Sequence, residues 1–147
     1  MEKLLISACI LGTNCKYNGK NNYNELVEEL KKKYELIPVC PEVLGGLSIP
    51  RNPSEIKGNT VISNRGVDVT KEFNLGAKMA FNIAKDNNIK IALLKDGSPS
   101  CGKNYIYDGT FTKTKIKGYG IFSSLLINNE IEIYTENDIE ELLKRTV

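Results

Sequence analysis

Histidine is missing from this chain of 147 residues. That removes the commonest general base and the commonest metal-binding side chain together, so Ser-His and Cys-His nucleophilic schemes and imidazole-held metals are excluded. An excess of one charge is missing too. Twenty Lys and Arg stand against 18 Asp and Glu, a formal +2, too balanced for the field that holds a protein on a nucleic-acid backbone or an anionic membrane. The expected partner is a small molecule, with no role for a membrane or nucleic acid. The longest uncharged stretches, 4–15 and 118–129, fall short of the roughly 20 apolar residues that span a bilayer. The first residues lack the basic flank of a signal peptide. The expected location is the cytoplasm. Repeats, linkers and low-complexity tracts are also lacking, so residues 1–147 are expected to form a single domain.

What remains is a pattern of alternation. Lys3–Ser7 and Tyr34–Val39 read as strands around a charged helical stretch with Leu26, Val27 and Leu30 on one face. A third apolar run, Lys90–Leu94, follows a helix with Thr70 as N-cap and Phe73, Ala77, Ala80, Phe81 and Ala84 at helical spacing. Phe122, Leu125 and Leu126 mark a short helix and Ile131–Tyr134 a fourth strand. Thr135–Asp138 is a capping box opening a last helix. The fold class is therefore α/β: a Rossmann-like open parallel sheet with helices on both faces; the alternation leaves the strand order open, and 2-1-3-4 is the order guessed. Two short β-hairpin inserts are predicted: residues 60–63 against 67–69, and 105–107 turning at Asp108-Gly109 into 110–112. Lys113, Lys115 and Lys117 read as the wet face of a strand. The Gly/Pro-rich stretch from Pro38 to Gly58 reads as a functional loop with no helix around Glu42.

Four cysteines carry the chemistry: Cys9, Cys15, Cys40 and Cys101. In a reducing compartment they are expected as thiols or metal ligands. Cys9, Cys40 and Cys101 each follow a predicted strand and each sit in a Gly/Pro turn. An open parallel sheet gathers its carboxyl ends along one edge, so these three are expected to meet in space. Small cysteines filling the core is the competing reading, but filler has no reason to favour strand ends. Thiolates without imidazole select zinc, copper(I) or an iron-sulfur cluster. No C-x2-C pair is present and Cys9 to Cys15 is C-x5-C, so spacing alone gives a thiolate metal site.

The motifs go further. Ser7-Ala8-Cys9-Ile10-Leu11-Gly12, Cys15-Lys16-Tyr17-Asn18-Gly19, the block C-P-E-x-x-G-G-L at 40–47, Pro50–Glu55, Asp68-Val69-Thr70, S-P-S-C-G at 98–102 and Ile106–Phe111 closely resemble the thiouracil desulfidase family. The match runs in order over nearly the whole chain. Lys16 stands where Arg is usual, and Asn18 where Asp is usual. The resemblance implies a 4Fe-4S cluster held by only three cysteines, and removal of sulfur from a thiolated base by hydrolysis without net redox chemistry. On that reading the metal ligands are Cys9, Cys40 and Cys101. Cys15, further from the first strand's end, is expected as the neighbour that does not bind, with Cys9 as the alternative surplus thiol. The competing class is a non-catalytic module, a structural zinc site or a thiol redox sensor.

Around the cysteines, Glu42 is the candidate proton carrier, since the chain has no histidine and ordinary lysines are charged near neutral pH. Ser98 and Ser100 are candidate catalytic hydroxyls flanking Pro99. Arg51, in the stiff Pro50–Pro53 segment, is a candidate substrate donor, with a surface ion pair to Glu55 as the alternative. Tyr17 is a candidate for stacking on a pyrimidine.

Overall fold

Side-chain alternation builds the sheet. In the computed structural model, which describes residues 1–146, β1 (Glu2–Ser7) sends Leu4 and Ile6 to one face and Leu5 to the other. The chain continues through α1 (Val27–Lys33), β2 (Tyr34–Val39) and α2 (Pro41–Leu44). A hairpin of β3 (Ser54–Lys57) and β4 (Thr60–Ser63) leads into α3 (Thr70–Asp86) and β5 (Ile91–Leu94). A second hairpin, β6 (Ile106–Tyr107) and β7 (Lys115–Ile116), precedes α4 (Ile121–Asn128), β8 (Glu132–Thr135) and α5 (Ile139–Lys144).

Strands β2-β1-β5-β8 form one parallel sheet in that spatial order. Counted along the sheet-forming strands this is 2-1-3-4, the order guessed. Leu5, Ala92, Leu94 and Ile133 pack under α3 and α4. Leu4, Ile6, Ile91 and Leu93 pack under α1 and α5. Two cores on opposite faces explain why the central strands β1 and β5 read as continuous apolar runs. Among the described residues, no helix is long and apolar enough to cross a membrane.

The local expectations that fail do so for identifiable reasons. Thr70 is the first helical residue and not the N-cap of α3. Its Oγ1 accepts the Val61 N–H at 2.8 Å, while its own N–H goes to Asp68 Oδ1 at 2.9 Å. Strand β4 turns back on β3 through Gly58, whose φ of +63° suits a tight hairpin. Its predicted pairing with 67–69 is reduced to one bridge, Ile62 to Asp68, because Ser63 Oγ closes that turn on the Arg65 and Val67 N–H groups. In the second hairpin, 110–112 is loop, and the partner strand begins at Lys115. Asp108 Oδ1 draws in both the N–H and the hydroxyl of Thr110 and so breaks the strand there. Glu42 lies on a helix, the single turn of α2. The capping box forms as read, with Asp138 Oδ2 accepting the Thr135 N–H at 2.9 Å.

Candidate active site

The carboxyl edge of the sheet carries the cysteines. Cys9 follows β1 in a 3-10 turn over Ala8–Leu11, closed by Gly12 at φ +100°. Cys40 follows β2 and is the N-cap residue of α2. That helix lies close against α3 because both contact points are glycine: a Cβ on Gly76 would stand 1.8 Å from Pro41 O, and one on Gly45 2.0 Å from Glu72 O. Cys101 follows β5 in a loop shaped by Asp96, which accepts the N–H groups of Gly97, Lys103 and Asn104 and the Asn104 amide. Pro99 O and Ser100 O take the first N–H groups of α4 at 2.9 Å each, which fixes this turn to the helix.

All four cysteines line one cavity of about 500 Å³, together with Tyr17, Glu42, Arg51, Ser98 and Ser100. Their thiols are not equivalent. Cys15 lies between Cys9 and Cys40, and its S–H donation is the main reason both are lowered to about 7. Burial opposes the shift in each. Asn22 Nδ2, 3.3 Å from Cys9 Sγ, adds to it at Cys9, and the Val43 N–H and Arg51 add to it at Cys40. As the shared donor, Cys15 is itself pushed well up. Burial raises Cys101 to about 12, partly offset by hydrogen bonds from Ser7 and Ser100. Thiolate character is thus concentrated on Cys9 and Cys40, and thiolate is the form that binds metal.

A second network crosses the cavity wall. Glu42 Oε2 accepts from Ser100 Oγ at 2.9 Å, and Glu42 Oε1 from Arg51 Nε at 3.1 Å. The Arg51 and Glu42 side chains are 8% and 16% exposed, so this pair is shielded from the solvent that weakens surface ion pairs. The predicted Arg51–Glu55 pair is replaced by it. The remaining Arg51 bonds run to Cys15 O at 2.9 Å and Ser48 O at 3.2 Å, making this side chain a brace between the Cys15 loop and α2. The two serines divide their work. Ser98 Oγ accepts the Ser100 and Cys101 N–H groups and closes the turn, whereas Ser100 Oγ faces Glu42. Tyr17 is 42% exposed at the rim, and its carbonyl accepts the Arg51 N–H at 2.7 Å. Lys113, read as the wet face of a strand, sits in a loop and lines the cavity.

Two lining residues, Lys95 and Asn22, were not singled out by sequence reasoning. Lys95 is paired with Glu136 at 2.8 Å and lies near Cys9. Its place directly after the third strand was the available signal. Glu55 and Phe111 meet across the two hairpins, and nothing in the sequence relates them. Asn22 gave no signal either, because its contact depends on how the 13–24 loop folds back.

Fold and site together define a small α/β protein that presents four free thiols, with no imidazole, to one cavity at the carboxyl edge of its sheet. Comparison with known proteins makes this specific. The profile of the 2-thiouracil desulfurase family matches residues 4–138, and the chain belongs to that family. The uncharacterized protein YbbK of Bacillus subtilis (strain 168) is 36% identical over 150 residues, covering 95% of this chain and 99% of that one. Among solved structures, the 4Fe-4S-dependent thiouracil desulfidase TudS is 38% identical with a TM-score of 0.91, covering 97% of this chain and 95% of that one.

Proposed function

We propose that this chain is a thiouracil desulfidase, converting a thiolated pyrimidine and water to the oxo base and hydrogen sulfide, with a 4Fe-4S cluster held by Cys9, Cys40 and Cys101. The observation that carries the reading is the convergence of these three cysteines on one cavity beside the Ser100–Glu42 pair. The donor set fits the cluster: all sulfur, with no imidazole in the chain. Among the described residues, no group of three His, Cys, Asp or Glu is arranged to hold a single metal ion.

When bound, the cluster supplies a soft Lewis-acidic iron for the thiocarbonyl sulfur. The chain's own residues handle the proton. Water attacking the ring carbon must lose one, and Glu42 is the carboxylate within hydrogen-bond reach of a cavity hydroxyl, Ser100 Oγ. Arg51 holds Glu42 from behind, and Ser98 fixes the turn that carries Ser100. Cys15 lines the same cavity and is left outside the proposed ligand set. A reducing, cytoplasmic setting keeps all four thiols free.

Anaerobic reconstitution tests the reading. The expected product is a brown protein with about four irons per chain that releases sulfide from 2-thiouracil with no added reductant. Serine at position 9, 40 or 101 is expected to abolish iron retention, while Cys15→Ser keeps it. A colourless zinc protein, or equal iron loss at all four positions, overturns the assignment.

A further inference from the structure

Two hairpins meet at the mouth of the cavity, and a carboxylate joins them. Glu55 on β3 directs Oε1 at the 108–114 loop, accepting the Gly109 N–H at 3.0 Å and the Phe111 N–H at 3.1 Å. The approach depends on glycine: a Cβ on Gly109 would stand 2.9 Å from Ile56 O, and its φ is +92°. Beyond it, Phe111 and Lys113 hold φ of +56° and +61°, a region that side chains larger than Asn rarely enter. Bonds between the hydroxyls of Thr110, Thr112 and Thr114, at 2.6 and 2.7 Å, brace the loop in this form. The strained ring is not spent on the core. Phe111 is 37% exposed and lines the cavity. Strain that persists at a ligand-facing position points to use. Of the other rings that line the cavity, Tyr105 and Tyr107 meet edge to face at 5.9 Å with Lys115 Nζ 4.5 Å over Tyr105, whereas the stacking candidate of the sequence, Tyr17, is 42% exposed and sits on backbone without a positive φ.

We propose that Phe111 is the ring that stacks on the base in the cavity, with Glu55 as the positioning residue that holds it there. This rests on the desulfidase reading and extends it to the grip on a planar heteroaromatic substrate. Stacking on one base commonly changes affinity by roughly 10-fold or more. The free apolar face of Phe111 and the flat ring of a pyrimidine are matched for it.

The test is calorimetric binding of uracil, the unreactive product, to the reconstituted holoenzyme, with steady-state kinetics on 2-thiouracil beside it. Phe111→Ala is expected to weaken uracil binding and raise KM by roughly 10-fold, with kcat and iron content nearly unchanged, and Phe111→Tyr to restore both. Glu55→Ala is expected to weaken binding in the same direction. The double variant should bind no more weakly than Phe111→Ala alone, because both changes remove the same ring from the mouth. Phe111→Gly removes strain and ring together, so it keeps its fold and still binds weakly, which separates loss of the ring from misfolding. Uracil affinity within about twofold of wild type in Phe111→Ala, or simple additivity with Glu55→Ala, overturns the inference. If the wild-type protein turns over 2-thiouracil in that case, the desulfidase reading stands and only the stacking role falls. A wild-type protein that neither binds uracil nor releases sulfide removes both.

Discussion

Both carboxylate oxygens of Glu42 are committed, one to Arg51 and one to Ser100. An amide of the same shape can still accept from one of these donors, but it cannot serve as a general acid or base. General acid-base assistance contributes on the order of 100- to 10,000-fold. Glu42→Gln is therefore expected to lower sulfide release on that scale while iron content and visible absorption stay at wild-type levels. A variant with a full cluster and near wild-type turnover would move the proton to Ser100 alone or to the substrate. Glu42 was legible in the sequence because it sits two residues from a strand-end cysteine. Its partner was not. Glu55 is four residues from Arg51 and Glu42 is nine, and only the folded chain shows that β3 carries Glu55 away to the second hairpin.

The α2–α3 contact makes an element-scale prediction. Alanine normally favours a helix over glycine by about 0.5–1 kcal/mol, so Gly76→Ala would be expected to stabilise an ordinary helix. Here the added carbon would stand 1.8 Å from Pro41 O, and α2 must move. Overpacking of this kind costs about 1–3 kcal/mol. The expected result is a lower urea midpoint and poorer iron retention, since Cys40 caps the displaced turn. A raised midpoint with full iron would mean that α2 tolerates the shift. The elements themselves were well marked in the sequence: β2 spans the residues read as strand, and the parallel direction follows from the alternation of types, whereas the strand order does not. The hairpins were the weak point. Their registers are decided by side-chain hydroxyls and carboxylates, those of Ser63 and Asp108, which capture backbone N–H groups that a periodicity argument assigns to strands.

At the scale of the whole molecule, Asp96 ties the centre of the sheet to its later part. Burial works against its charge, but donors from Lys103, Asn104 and Gly97 outweigh burial and hold its carboxyl below the ordinary range. Its own N–H reaches Glu136 Oε1 at 2.8 Å, beyond β8. A carboxyl lowered on folding contributes stability that is present above its unfolded value near 4 and lost as pH falls through the folded one. The thermal midpoint is expected to fall in acid below about pH 4. Asp96→Asn should lower that midpoint at pH 7 and flatten its acid dependence; parallel curves for the two proteins would assign the acid loss to other carboxylates.

The strand order also imposes a timetable. β1 is made first, yet it lies inside the sheet between β2 and β5. A chain emerging from the ribosome can pair β1 with β2 early, bringing Cys9 and Cys40 together while Cys101 is still to be synthesised. The three-cysteine site proposed here is complete only after β5 has docked against β1. Iron delivered before that moment would meet an incomplete site with two of its three sulfurs. Loading therefore belongs after β5 has docked against β1, and a filled cluster would report that the β2-β1-β5 part of the sheet is in place.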